Sequence, residues 1–235
     1  MAQTLGGPSV RFSCVLAWLG AALVVSACAQ NPERLNTTFL DRYVDSNPTL
    51  AAFQECHGFS CSETSRVSLN RAEWSRVVAV FRPSAKDART ERRRIAEAVA
   101  LMQRLVGTQT GTAVHQWTHK DLQVLPNLSD PTQLDCIDEA VNTWTYMTLM
   151  ERSGLFRYHK VAQLSASGTL LDPRNTAVLH EINGDHFAID PSLVDFGMTP
   201  PVIRLASWIE HWPPDLAAAD APPSRVDWPM RSAQN

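Results

Sequence analysis

The chain has 235 residues, 44% of them hydrophobic and 19% charged, and its 21 Lys and Arg against 24 Asp and Glu give a formal net charge of −3. This composition excludes a low-complexity or wholly disordered chain. The slight acidity, with Lys and Arg scattered, excludes a strong polyanion binder, so nucleic acid is not an expected partner; the one dense basic cluster, Arg92-Arg93-Arg94, stands among Asp87, Glu91 and Glu97 in a helical pattern and reads as a solvated helix face.

In chain order, Arg11 precedes an apolar run from Phe12 to Ala27, too short for a comfortable membrane span of ~20 residues, and residues 1–27 read as a cleaved export signal. Val25-Ser-Ala-Cys28 resembles the lipobox of bacterial lipoproteins. That resemblance implies that Cys28 carries the lipid and begins the mature chain. Ala29 resembles the outer-membrane-sorted type, which implies a protein held by an N-terminal lipid anchor in the bacterial envelope, facing the periplasm. The alternative is an ordinary signal peptide ending near Ala27 or Ala29; either way the chain is exported. Loss of residues 1–27 removes one base, Arg11, and no acid, which takes the net charge to −4. Residues 28–38 suit a polar tether, residues 39–212 a single globular domain, and residues 213–235 a flexible proline-rich tail.

Within the domain, Cys56-His-Gly-Phe-Ser-Cys61 predicts a local disulfide in an oxidising compartment. The alternative is a metal site of Cys56, His57 and Cys61, but no second ligand pair is apparent, and neither metal nor cofactor is expected. Asn70 with Glu73 has capping-box spacing, followed by Trp74, Val77, Val78 and Phe81 on one helical face and a stop at Pro83. Ser84 with Asp87 opens a second helix whose stripe, Ile95, Ala98, Val99, Met102, Leu105 and Val106, runs to an expected stop at Gly107. Residues 108–131 lack periodicity apart from a short element around Leu122–Leu125, and a loop of that length is often functional.

Cys136 then opens a helix whose Ile137, Ala140, Val141, Trp144 and Met147 form an apolar face, with Tyr146, Leu149 and Met150 spreading hydrophobicity round the cylinder, so the helix should be buried. Beyond Gly154 the pattern turns to short strands at Phe156–Leu164, Thr176–Ile182 and His186–Ile189, the last two joined at Asn183-Gly184 by a two-residue type I′ turn. Helices followed by a small antiparallel sheet define an α+β class.

Cys136-Ile-Asp-Glu-Ala, then Gly154-Leu-Phe-Arg157, then Phe187-Ala-Ile-Asp-Pro191 resemble the core of the transglutaminase-like group of papain-type cysteine enzymes over about residues 130–195. The resemblance implies a buried Cys-bearing helix packed on the sheet, Cys136 as nucleophile, a histidine base at the start of the next core strand, and Asp190 as the acid that orients it. Where that histidine belongs, the chain reads Arg174-Asn175. Arg174 would pair with Asp190 but cannot accept a proton at neutral pH. The base is therefore unassigned, with His115, His159, His180 and His186 as candidates. With a two-residue turn, His186 would share a face with Asp190 at roughly 13 Å and His180 would point the other way. Asp135, Asp138 and Glu139 suit the helix dipole yet would oppose ionisation of a nearby thiol.

Two readings of function follow. In one, the chain is a membrane-tethered cysteine hydrolase or acyltransferase acting through Cys136 on amide or thioester bonds of peptides or envelope polymers. In the other, the fold is retained without catalysis and binds a partner or peptide.

Overall fold

The computed structural model describes residues 41–114, 130–169 and 172–224. The export segment with Cys28, the tether, His115 and the Leu122–Leu125 segment lie outside the described residues. Within them the architecture is α+β, four α-helices packed with small antiparallel sheets.

The first sheet is a hairpin of β1 (Phe53–His57) and β2 (Glu63–Val67), paired from Phe53 opposite Val67 to His57 opposite Glu63. Next comes α1 (Arg71–Val80), which starts where the capping box predicts: Asn70 Oδ1 accepts from the Ala72 and Glu73 amides, and Glu73 returns a bond to the Asn70 amide. The second helix, α2 (Ala88–Thr110), begins at Asp87, whose carboxylate caps the Thr90 amide.

Gly107 does not stop α2. The helix runs through it and ends at Gly111, which has φ 81° in the left-handed region. Gly107 serves packing instead: a Cβ there would lie 2.6 Å from Cζ of Phe196. The third helix, α3 (Cys136–Arg152), is the central one, and Tyr146, Met147 and Met150 on it are fully buried. Burial of side chains this large stabilises the fold by roughly 1.5–3 kcal/mol each.

Five strands form the second sheet: β3 (His159–Val161), β4 (Ser165–Thr169), β5 (Asp172–Glu181), β6 (His186–Ile189) and β7 (Val202–Arg204). The order is β3-β5-β6-β7, with β4 pairing along the first half of β5 and β3 along its second half. The expected strand Phe156–Leu164 is thus realised only at His159–Val161, because the chain breaks away at residues 162–164 and rejoins β5 as β4. A short helix, α4 (Leu205–Glu210), follows β7.

The hairpin between β5 and β6 differs from the expected two-residue turn. Three residues, 182–184, separate Glu181 from Asp185, with Asn183 at φ 62° and the Gly184 amide bonded to the Glu181 carbonyl. The extra residue moves the register by one, so His180 lies opposite His186. Side chains alternate across this pair. Ala177, Leu179, Phe187 and Ile189 join the main core with α2 and α3, while Val178 and Ala188 pack on the other face with Ile203, Leu205 and Trp208.

The proline-rich stretch expected to be a tail returns to the body as far as residue 224. Val202 bridges Ala221, Thr199 bridges Ser224, and Arg92 binds Asp220, so residues 213–224 gain backbone partners and an ion pair to a buried arginine that the lack of periodicity concealed.

Candidate functional site around Cys136

The head of α3 is held by its own acids. Asp135 Oδ1 accepts from the Ile137 amide at 2.8 Å and the Asp138 amide at 3.1 Å, and Asp138 Oδ2 accepts from the Asp135 amide at 2.9 Å, a reciprocal capping box. The remaining carboxylate oxygens reach across to the β1–β2 loop. Asp135 Oδ2 accepts from the Ser60 amide at 2.7 Å, and Asp138 Oδ1 from the Cys61 amide at 2.8 Å. One turn on, buried Asn142 clamps Cys56 at both ends, its Oδ1 accepting from the Cys56 amide and its Nδ2 donating to the Cys56 carbonyl, each at 2.8 Å.

Cys56 and Cys61 are joined as a disulfide with Cα atoms 4.8 Å apart, and the loop they close lies over the first turn of α3. His57 has both ring nitrogens engaged, one by the Pro131 carbonyl at 2.6 Å and the other by Ser65 Oγ at 2.8 Å. The group near the sulfurs is Asp138 rather than His57. With its sulfurs in a disulfide, the pair offers no thiolate to a metal.

Cys136 is the first residue of α3 and is partly buried. Asn175, on β5, donates from Nδ2 to its Sγ at 3.2 Å. Burial, with the neighbouring charge of Asp135 and a smaller opposition from Asp190, pushes the thiol up to about 12, outweighing the Asn175 bond, which favours the thiolate. The amide of Asn175 stands in the region where the resemblance places a base, and an amide does not take up a proton at neutral pH.

Asp190 is buried at the end of β6 but is turned away from this contact. Its Oδ2 accepts from Trp208 Nε1 at 2.8 Å, and its Oδ1 from the hydroxyl and amide of Ser192 at 2.6 and 3.1 Å. Burial raises it to about 6 despite those bonds. Since Ala177 pairs with Ile189, the ladder continues to Thr176 opposite Asp190, so Asn175 faces α3 and Asp190 belongs to the Trp208 side. The Arg174 guanidinium stacks on Trp212, 4.6 Å from the ring centroid, rather than taking the carboxylate oxygens that Ser192 and Trp208 occupy, and its Nε and Nη1 have no hydrogen-bond partner.

Three of the candidate bases, His159, His180 and His186, are engaged elsewhere among the described residues. His159 is buried with Nδ1 2.9 Å from Glu91 Oε1 and Nε2 3.2 Å from Arg92 Nη1, an arrangement that ties β3 to α2. His180 and His186 stack on each other with centroids 4.6 Å apart and planes at 8°, on the sheet face away from α3. The register change therefore alters the expected facing of His180 but brings neither imidazole to Cys136.

Behind Cys136 stands a group of acids whose burial the sequence did not reveal. Glu139, one turn along α3, is buried with Gln103 Nε2 at 3.4 Å, and burial, reinforced by Asp190, Glu55 and Asp135, raises it well above the carboxylate range. Glu55 on β1 accepts from the Tyr146 hydroxyl at 2.6 Å, yet burial lifts it to about 8; Asp138 rises to about 9 for the same reason, with Asp135 adding. The only sequence signal was acids interrupting an otherwise apolar helix. Such surroundings hold protons and disfavour an anion at sulfur.

No protein-family model matches the chain, and neither the curated proteins nor the solved structures provide a match. Among the described residues no helix is long and apolar enough to cross a membrane.

Proposed function

We propose that this chain is a lipid-anchored protein of a bacterial envelope whose transglutaminase-like core acts by binding a peptide or envelope polymer, with Cys136 retained as a structural thiol. The observation that carries this reading is the 3.2 Å bond from Asn175 Nδ2 to Cys136 Sγ. An amide donor, which does not take up a proton at neutral pH, reaches the thiol from β5. The raised thiol, the raised carboxyls of Glu55, Asp138 and Glu139, and the rotation of Asp190 towards Trp208 support it. The cysteine hydrolase or acyltransferase reading is favoured by one feature, the place of Cys136 at the first position of a seventeen-residue helix, where the helix dipole lowers a thiol pKa. Burial and the charge of Asp135 act against that dipole.

The test is turnover. The mature chain and Cys136→Ala are incubated with acyl thioesters and peptide amides bearing chromogenic leaving groups. Equal release by the two supports a binding role, and release that disappears with Cys136 overturns it.

A further inference from the structure

On the sheet face opposite α3, a cavity of about 390 Å³ opens between α4, the start of α2 and the returning segment 214–220. Its floor is apolar, with Ile203 and Ala219 buried, and its rim carries Arg89, Arg204, Ser207 and His211. Cavities of this size with an apolar floor and a few convergent polar groups suit small organic molecules.

Two acids, Asp215 and Asp220, also line the cavity, and both are already committed. Buried Arg92 holds Asp220 Oδ2 through Nε at 2.5 Å while also binding Glu181, which anchors the wall formed by the returning segment. Asp215 caps the Ala217 amide. The rim guanidiniums are held far more loosely: Arg89 reaches Asp220 Oδ1 at 3.3 Å with its side chain 59% exposed, and Arg204 pairs with Asp185 with side chains 64% and 57% exposed. Exposed ion pairs are weak, and the pair of buried Arg92 with partly buried Asp220 is better shielded from solvent. A guanidinium whose carboxylate partner is exposed can exchange it for an incoming carboxylate or phosphate, which it binds through parallel N–H donors.

We propose that this cavity binds a small organic anion, a carboxylate or phosphate carried on an apolar body. The anionic group replaces Asp185 at Arg204 and lies towards Arg89, the Ser207 hydroxyl donates to it, and the apolar body rests on Ile203 and Ala219. The site lies on a different face from Cys136 and stands or falls independently of the reading of that thiol.

The test is an amide NMR titration of the mature chain with benzoate and, separately, phenyl phosphate, with benzyl alcohol and inorganic phosphate as controls. Saturable shifts at Ser207, His211 and Ala219 with a Kd at or below about 1 mM are expected for at least one of the two aromatic anions, and the tighter one identifies the head group. Arg204→Gln should weaken binding at least ~10-fold, while Arg71→Gln, at the exposed start of α1, should leave it unchanged. Ser207→Phe fills the cavity without changing its charge and should abolish the shifts; a dispersed amide spectrum in each variant verifies folding. No saturable shift by about 10 mM, equal binding of benzyl alcohol, or undiminished binding by Arg204→Gln overturns the site. Inorganic phosphate binding as tightly as phenyl phosphate overturns the apolar body.

Discussion

Replacing Glu55 by Gln should flatten the pH dependence of stability. Glu55 is 2% exposed; one carboxylate oxygen accepts from Tyr146, and the other has no hydrogen-bond partner. Its midpoint rises from 4.5 to about 8 because burial outweighs the Tyr146 bond. A folded-state midpoint above the unfolded one means that the folded state binds the proton more tightly. The stabilisation is therefore fully present below about 4.5 and lost as pH rises through about 8. Asp138, raised to about 9, and Asp190, raised to about 6, act with the same sign.

At ~1.4 kcal/mol per pH decade the Glu55 contribution is bounded near 5 kcal/mol, and relaxation around the charge reduces it to about 2–4 kcal/mol. The variant keeps the acceptor for Tyr146 and cannot ionise. Urea unfolding at a series of pH values, read as the midpoint at constant m, should show wild type losing stability between about pH 5 and about pH 9. Glu55→Gln should lie within about 1 kcal/mol of wild type at the acid end and exceed it by about 2–4 kcal/mol at the alkaline end. A wild-type stability that rises over that range, or a variant curve that runs parallel to wild type, would mean that Glu55 does not bind its proton more tightly in the folded state.

Two further substitutions probe the frame that positions the site. Asn142→Ala removes both bonds to Cys56 and leaves a buried N–H and C=O unpaired, so urea unfolding should show a loss of about 2–5 kcal/mol; a loss below about 1 kcal/mol would mean that the clamp is dispensable. Gly107→Ala should destabilise by about 1–2 kcal/mol, because the clash with Phe196 exceeds the ~1 kcal/mol gain in helix propensity, and Phe196→Leu should recover part of the loss in the double variant.

Local chemistry made the helices legible. The Asn70–Glu73 box and the turn-to-helix change at Cys136 are signals contained within a few residues, and the buried character of α3 followed from its apolar periodicity. Strands that depend on a partner were hidden. Glu63-Thr-Ser-Arg-Val67 is mostly exposed and Ser165-Ala-Ser-Gly-Thr169 is small and polar, so neither carries an apolar alternation of its own. Turn length decided parity: one extra residue at 182–184 changed which histidine faces which side.

At the site, the departure at Arg174-Asn175 was visible as residue types, but which of the two reaches the sulfur required the register of β5. The burial of Glu139 and Asp138 was invisible because acids in a first helical turn ordinarily face water; here the β1–β2 loop takes Asp138, and Glu139 meets Gln103 of α2.

Whether Cys136 is a protonated structural thiol is read from the rate of its alkylation by iodoacetamide as a function of pH, on the folded mature chain. With the thiol pushed up to about 12, the rate should stay near zero through neutrality and climb only above about pH 10, while the same chain unfolded in urea should react with an ordinary midpoint near 8.5. A folded-state rate that reaches its plateau with a midpoint below about 8 would instead make Cys136 an activated nucleophile.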